Sequence, residues 1–314
     1  MGVLNTGLLN LPDEKLDPWL GKVKFGSAIA TLSGAEPMKF GTGEYMTFDI
    51  GEAEYVGQGS QKGPSTITRT VKKTNPFKFH KTVRWTQEVM WANEDHQLKV
   101  IEQILALIQP SLSRALDFGV FHSINPTGGA AVPEMTECLS QTTNSVEIDG
   151  LQSPQLYLDQ ADALVLGHRF NPKDVALDPA FAAAFGAVRM PVGAQGAPIG
   201  PKMYSDLTYA TAPAGRLENH SSSVSDTVGA AGIAANPTGV GAFVGDFSAI
   251  RWGIQRSIGL ELIEYGDPDG QGDLKRNNEV AFRAEVVYGW GIADLGAFAK
   301  IIDADAPADD PNED

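Results

Sequence analysis

Cysteine is nearly absent from this chain. Cys138 is the only one in 314 residues, which excludes an intrachain disulfide and makes a reducing cytoplasm the expected setting. Long apolar runs are absent too. Nowhere do eighteen apolar residues stand together, so no membrane span is expected. The N-terminus, "MGVLNTGLLNLPDEKL", lacks the basic start and continuous apolar core of a signal peptide. Met1-Gly2 with Thr6 is too slight a match to a myristoylation signal to carry an expectation. Positive charge is scarce as well: 24 Lys and Arg stand against 39 Asp and Glu, for a net charge of −15. That balance excludes a protein that grips nucleic acid by neutralising phosphates, though not one that lies beside nucleic acid without adhering to it. What is present is a 42% hydrophobic content, enough for a real core in a soluble intracellular protein.

Catalytic motifs are missing in the same way. The nearest approach to a phosphate loop, "GQGSQK" at 57–62, ends in lysine where a dinucleotide fingerprint needs glycine, and it joins two strands. It reads as a hairpin tip. "DPDGQGD" at 267–273 places Asp267, Asp269 and Gly272 like the start of a calcium loop. Lys275 and Asn278 then occupy its ninth and twelfth positions, so a β-turn is the better reading. The five histidines (His80, His96, His122, His168, His220) are scattered, and Cys138 has no catalytic context. No cofactor, metal site or enzymatic activity is expected.

The patterned segments are strands and one long helix. Residues 1–43 are an irregular arm with Pro12, Pro18 and Pro37. From Glu44, "EYMTFDIGEAEYV" and "TITRTVKKTNPFKFHKTVRW" flank a glycine-rich turn at 57–65 and predict a long β-hairpin. Lys72, Lys73, Lys78 and Lys81 make its returning limb basic. Leu98, Ile101, Ile104, Leu105, Ile108, Leu112 and Leu116 predict a long helix capped by Asn93 and kinked at Pro110. "QADALVLGHRFNPKDVA" reads as a strand, a turn at Asn171-Pro172 and a helix start. Residues 186–244, and 218–241 above all, read as a mobile glycine- and serine-rich loop. Two long alternations close the chain. In the first, Ile250, Trp252, Ile254, Ile258, Leu260 and Leu262 share one parity; in the second, Val280 to Ile292 do so. Arg256 breaks the first face and predicts a bend there, the hinge between two lobes. The end, "DADAPADDPNED", is acidic and is expected to be disordered.

This order resembles the major capsid protein of tailed bacteriophages, the Hong Kong 97 fold. The resemblance is carried by "AEYVGQGSQKGPSTIT" with "KFHKTVRWTQEVM", by "ALVLGHRFNPKDVALD", and by "VGDFSAIRWGIQRSIGLEL" with "NNEVAFRAEVVYGWGIADLGAFAKI". It spans roughly residues 20 to 302. It implies an α+β fold with an N-terminal arm (1–43), an extended β-hairpin loop with a peripheral-domain strand (44–90), and a spine helix with peripheral domain (91–150). An axial domain (151–256), closing peripheral strands (257–302) and the acidic tail (303–314) would complete it.

The implied function is a shell subunit that assembles with itself as hexamers and pentamers around double-stranded DNA. The implied setting is the virion, built in the host bacterial cytoplasm. The portal, together with scaffold or decoration proteins, would be the partners, with DNA nearby but not read and no membrane. An encapsulin-type compartment shell is the alternative, and a β-rich enzyme or binding protein a more distant one. The hairpin lysines, Lys62 at the tip and Trp19 on the arm are the candidate inter-subunit contacts. Some members of the family form an isopeptide bond between a loop lysine and an asparagine, assisted by a glutamate. Lys62, Asn278 and Glu285 match those positions, with Asn277 leaving the register open. Lysine tips and strand glutamates are common, so the expectation is no crosslink.

Overall fold

The computed structural model describes residues 25–95, 106–150, 153–190, 200–209, 215–230 and 238–303. A short helix α1 (Ala28–Leu32) precedes strands β1 (Gly43–Ile50) and β2 (Ile67–Thr86), then helices α2 (Gln87–Asp95) and α3 (Ile108–His122). Next come β3 (Ser145–Ile148), α4 (Pro154–Gly167), β4 (Asp174–Leu177), α5 (Pro179–Ala187), β5 (Arg216–Leu217) and β6 (His220–Val224). Strands β7 (Val240–Gly245), β8 (Ile250–Ile263), β9 (Glu279–Ile292) and β10 (Phe298–Asp303) close the chain.

The strands form two sheets. One is four-stranded in the order β1-β2-β9-β8, antiparallel throughout. The other is six-stranded and mixed, in the order β3-β10-β7-β4-β6-β5. Helix α3 joins them. Gly119 lets the helix approach the Trp290 indole of β9, where a Cβ would come within 2.6 Å of the ring. Two residues on, about half-way round the helix, Phe121 stacks on Phe243 of β7 at 5.0 Å. Helix α3 therefore serves both sheets, and one continuous core includes Leu116, Val120, Phe121, Phe243, Trp252 and Trp290.

Several expectations need correction. The helix starts at Gln87, directly after β2, so Asn93 lies inside α2 and does not cap it. Pro110 stands in the first turn of α3, and a single turn residue, Leu107, separates that helix from helical Ala106, so the helical path is interrupted one turn before the proline. Leu98, Ile101, Ile104 and Leu105 lie outside the described residues. "QADALVLG" is helical: Tyr157, Leu158, Ala161 and Val165 bury a face at helical spacing behind Pro154 in the first turn, and the strand is the later, fully buried Asp174–Leu177. The serine-rich stretch is partly core, because small hydroxyl side chains can be buried once bonded to backbone. Ser222 donates to the Gly215 carbonyl (2.9 Å) and Ser225 to the Gly26 carbonyl (3.1 Å). Finally, the arm packs on its own chain from residue 25 onward.

The root of that arm is held by Asp117 of α3. Its buried carboxylate accepts from the Ala28 and Ile29 backbone N–H groups (2.8 and 3.1 Å), from Ser27 Oγ and from Thr227 Oγ1 (2.6 Å). Burial pushes Asp117 up to about 6 against the pull of those four donors. Desolvation pushes His122, on the same helix, down to about 4, with its ring Nε2 2.9 Å from the Val228 carbonyl.

The two groups act on stability in opposite directions. Asp117 contributes fully below its unfolded value of 3.8, and the contribution is lost as pH rises through about 6. His122 contributes fully above its unfolded value of 6.5, and the contribution is lost as pH falls toward about 4. Each shift corresponds to about 3 kcal/mol, so the two nearly cancel between pH 4 and 6.5. As pH rises from 4 to 6.5 the wild type should therefore change little, Asp117→Asn should become more stable by about 3 kcal/mol than it is at pH 4, and His122→Gln less stable by about as much. Denaturant midpoints at the two pH values check this; parallel pH profiles for all three proteins would sink it.

Candidate assembly surfaces

The hairpin is built from alternating strands that outrun the core. Strand β1 pairs with β2 from Gly43↔Thr74 to Ile50↔Ile67, and β2 then continues along β9 from Asn75↔Trp290 to Thr86↔Glu279. The core-facing residues Phe77 and Phe79 pack on Trp290 and Tyr288. Toward the tip that support ends. Met46, Phe48, Ile50, Tyr55 and Ile67 are exposed, Phe48 at 62% and Ile50 at 67%. The loop 51–66 contains a turn in which Ser60 N–H bonds the Gly57 carbonyl (3.1 Å), with Gly59 at φ +83, and Lys62 stands exposed beyond it. Apolar side chains on a strand pair with nothing beneath them mark a surface that another body covers.

A second apolar surface lies at the opposite edge of the same sheet, on β8. Trp252 opposes Trp290 and Ile254 opposes Tyr288, both on the face that α3 covers. Gln255 is then an extra residue, and Arg256 opposes Val287, which points to the other face. The bend expected at Arg256 is thus a β-bulge that keeps the arginine off the tryptophan face. A second irregularity between Ile258 and Glu261 returns Leu262 to the first face, opposite Phe282, while Ile258 opposes Glu285 on the second. Constant parity in the sequence becomes apolar side chains on both faces. Ile254, Ile258, Leu260 and Leu262 are all exposed.

Sequence reasoning missed the strap between arm and hairpin. Ala35 bridges to Trp252, the Glu36 N–H donates to the Trp252 carbonyl (2.8 Å), and Glu36 pairs with Arg251. The strap fits because β8 and β9 carry glycines there. A Cβ on Gly253 would fall 2.1 Å from the Glu36 carbonyl oxygen, and one on Gly289 would fall 2.4 Å from Gln255 Nε2. The signal was in view: "WGI" and "GWG" put glycines inside strong strand patterns, which marks close backbone approach.

The lysines mostly serve their own chain. Lys72 pairs with Glu137 (2.5 Å), Lys73 with Glu44 (3.8 Å) and Lys78 with Glu285 (2.7 Å); among the described residues Lys81 makes no ion pair. Lys78 also holds the Glu285 carboxyl below the usual carboxylate range. Asn278, at φ +56 just before β9, donates to Glu88 (2.6 Å). Seven residues of extended chain, about 23 Å, separate it from Glu285, so one subunit does not bring that pair together. Trp19 lies outside the described residues.

The turn resembling a calcium loop holds a guanidinium instead. Buried Arg84 of β2 pairs with Asp269 (3.2 Å) and Glu279 (3.4 Å) and donates to the Gly272 carbonyl. Among the described residues no three His, Cys, Asp or Glu side chains converge as a metal site. His168 and His220 are structural, facing Asn144 (3.1 Å) and Asp162 (2.9 Å), and Cys138 is buried.

No protein-family model and no curated protein matches the chain. Solved structures do. A chain of Mycobacterium phage Ogopogo is 40% identical with a TM-score of 0.80, the match covering 96% of this chain and 100% of that one. A chain of Gordonia phage Cozz is 26% identical with a TM-score of 0.77, covering 95% and 93%. A structure described as the capsid of a native GTA particle shares the fold at 14% identity and a TM-score of 0.59, covering 95% and 97%. Fold, projecting hairpin and uncovered apolar strands define a structural shell subunit rather than an enzyme. The chain belongs to the major capsid proteins of tailed bacteriophages, with the Hong Kong 97-like fold, and forms an icosahedral shell.

Proposed function

We propose that this subunit assembles as hexamers and pentamers around double-stranded DNA in the host bacterial cytoplasm, with a portal and with scaffold or decoration proteins as partners. The observation that carries the reading is the apolar surface that the described residues leave uncovered at both edges of one sheet, on the hairpin and on β8. Such strips bury surface only against neighbours. Charge supports the DNA part: at −15 the chain lies beside a polyanion without gripping it. Lys62, Lys81 and Trp19 stay as the proposed inter-subunit contacts, and the bulge near Arg256 as the boundary between axial and peripheral lobes. The subunits associate without an isopeptide bond, because Lys78 engages Glu285 and Glu88 engages Asn278.

The triple variant Phe48→Ser, Ile50→Ser, Ile67→Ser tests this. All three side chains are at least 60% exposed, so the melting temperature of the subunit should move little while particle formation is lost. Sedimentation and negative-stain microscopy read the outcome. Variant shells forming at the wild-type protein concentration would overturn the assignment of the hairpin surface. Boiled wild-type particles should run as one band at monomer mass.

A further inference from the structure

We propose that Gln255 is a positioning residue: the β8 bulge presents its amide as a latch that fixes the root of the hairpin. Its Nε2 donates to the Gly41 carbonyl at 3.0 Å, and the Gly41 N–H donates to its Oε1 at 3.0 Å. One side chain thus supplies both bonds that a neighbouring strand would give to a residue's backbone. Gly41 sits at φ +122, a conformation that favours glycine, and β1 begins two residues later at Gly43. The latch therefore grips the chain where the strap turns into the projecting hairpin. Gly289 leaves the room that the Gln255 amide occupies.

The bulge that aims this amide is itself maintained by Arg256. Without the extra residue, Arg256 would continue the parity of Trp252 and Ile254 and turn toward the aromatic face formed with Tyr288 and Trp290. An unbulged strand would set the guanidinium against apolar Val286, beside half-exposed Ile254, so β8 stays bulged and Gln255 keeps its register beside Gly41. The bulge also lies where support from the core ends: Trp252 and Gly253 are buried, and Ile254 onward is largely exposed. The latch thus joins the rigid part of the sheet to the part that meets neighbours. It sets the angle at which the hairpin leaves the subunit.

This deepens the shell reading and rests on it for its consequence, but the latch can be tested on the unassembled full-length chain. In Gln255→Ala, hydrogen exchange should accelerate about tenfold at residues 43–50 and 67–74, as two hydrogen bonds are lost, and stay unchanged in α3 and β9. Arg256→Val should give the same acceleration although Gln255 is intact, because β8 can then run without a bulge. Arg256→Lys should behave as the wild type. If Gln255→Ala does not fold, the two Arg256 variants carry the test. Wild-type hairpin exchange in Gln255→Ala or in Arg256→Val would overturn the latch. In particles, Gln255→Ala should give mixed diameters; uniform shells of wild-type size would overturn the positioning role. A wild-type chain that builds no shells would count against the shell reading alone.

Discussion

Asp117→Ala should destabilise the subunit by about 3–5 kcal/mol, because it orphans buried donors on two separate segments. The Ala28 and Ile29 N–H groups cannot reorient, and each costs about 1–3 kcal/mol when left buried and unbonded. The hydroxyls of Ser27 and Thr227 can rotate, so they add less. Asp117→Asn keeps one acceptor oxygen and should fall between alanine and the wild type. Urea denaturation reads the loss, and hydrogen exchange locates it. The change should concentrate at residues 27–32 and 225–230, where the arm root and the loop after β6 meet α3. A variant within about 1 kcal/mol of wild type would show that the carboxylate is dispensable and the arm root is held by packing alone.

Arg84→Met should cost a similar amount, about 3–5 kcal/mol, through the carboxylates it leaves behind. The Arg84 side chain is 3% exposed, and its partners Asp269 and Glu279 are 19% and 10% exposed. Methionine fills much of the volume but leaves both acids without a cation in a poorly solvated site. The turn at 266–278 should open first, since Arg84 ties it to β2 through those acids and the Gly272 carbonyl. Adding Asp269→Asn and Glu279→Gln to Arg84→Met should recover part of the loss, because neutral amides are cheaper to bury than unpaired carboxylates. A single variant as stable as the wild type would mean that the three charges are solvated in solution.

Much of the fold was legible where one period dominates. The alternations around Val71 to Trp85 and Val280 to Ile292 became β2 and β9, and the hairpin formed around the glycine-rich stretch. Segments with short or mixed signals were misread. "QADALVLG" is apolar enough for either period, and only its packing under the six-stranded sheet makes it α4. The serines of β6 look like loop residues because composition does not show that backbone carbonyls stand ready to accept from them. Asn278 and Glu285 matched a pattern by position, yet the ion pair on one and the hydrogen bond on the other depend on Lys78 and Glu88, which no local rule connects to them.

By itself the sequence determined the kind of protein this is: its charge and cysteine content, its lack of catalytic motifs, its strand periods and the order of its elements, all of which act through local chemistry and composition. Tertiary structure alone decided which apolar residues stay uncovered. The exposure of Ile258 and Leu262 on opposite faces depends on two bulges, and a bulge depends on which partner strand lies alongside and on what an arginine would meet if the strand ran straight. Pairing register and desolvation are properties of contacts between distant parts of the chain, so the surfaces that build the shell appear only once the chain is folded.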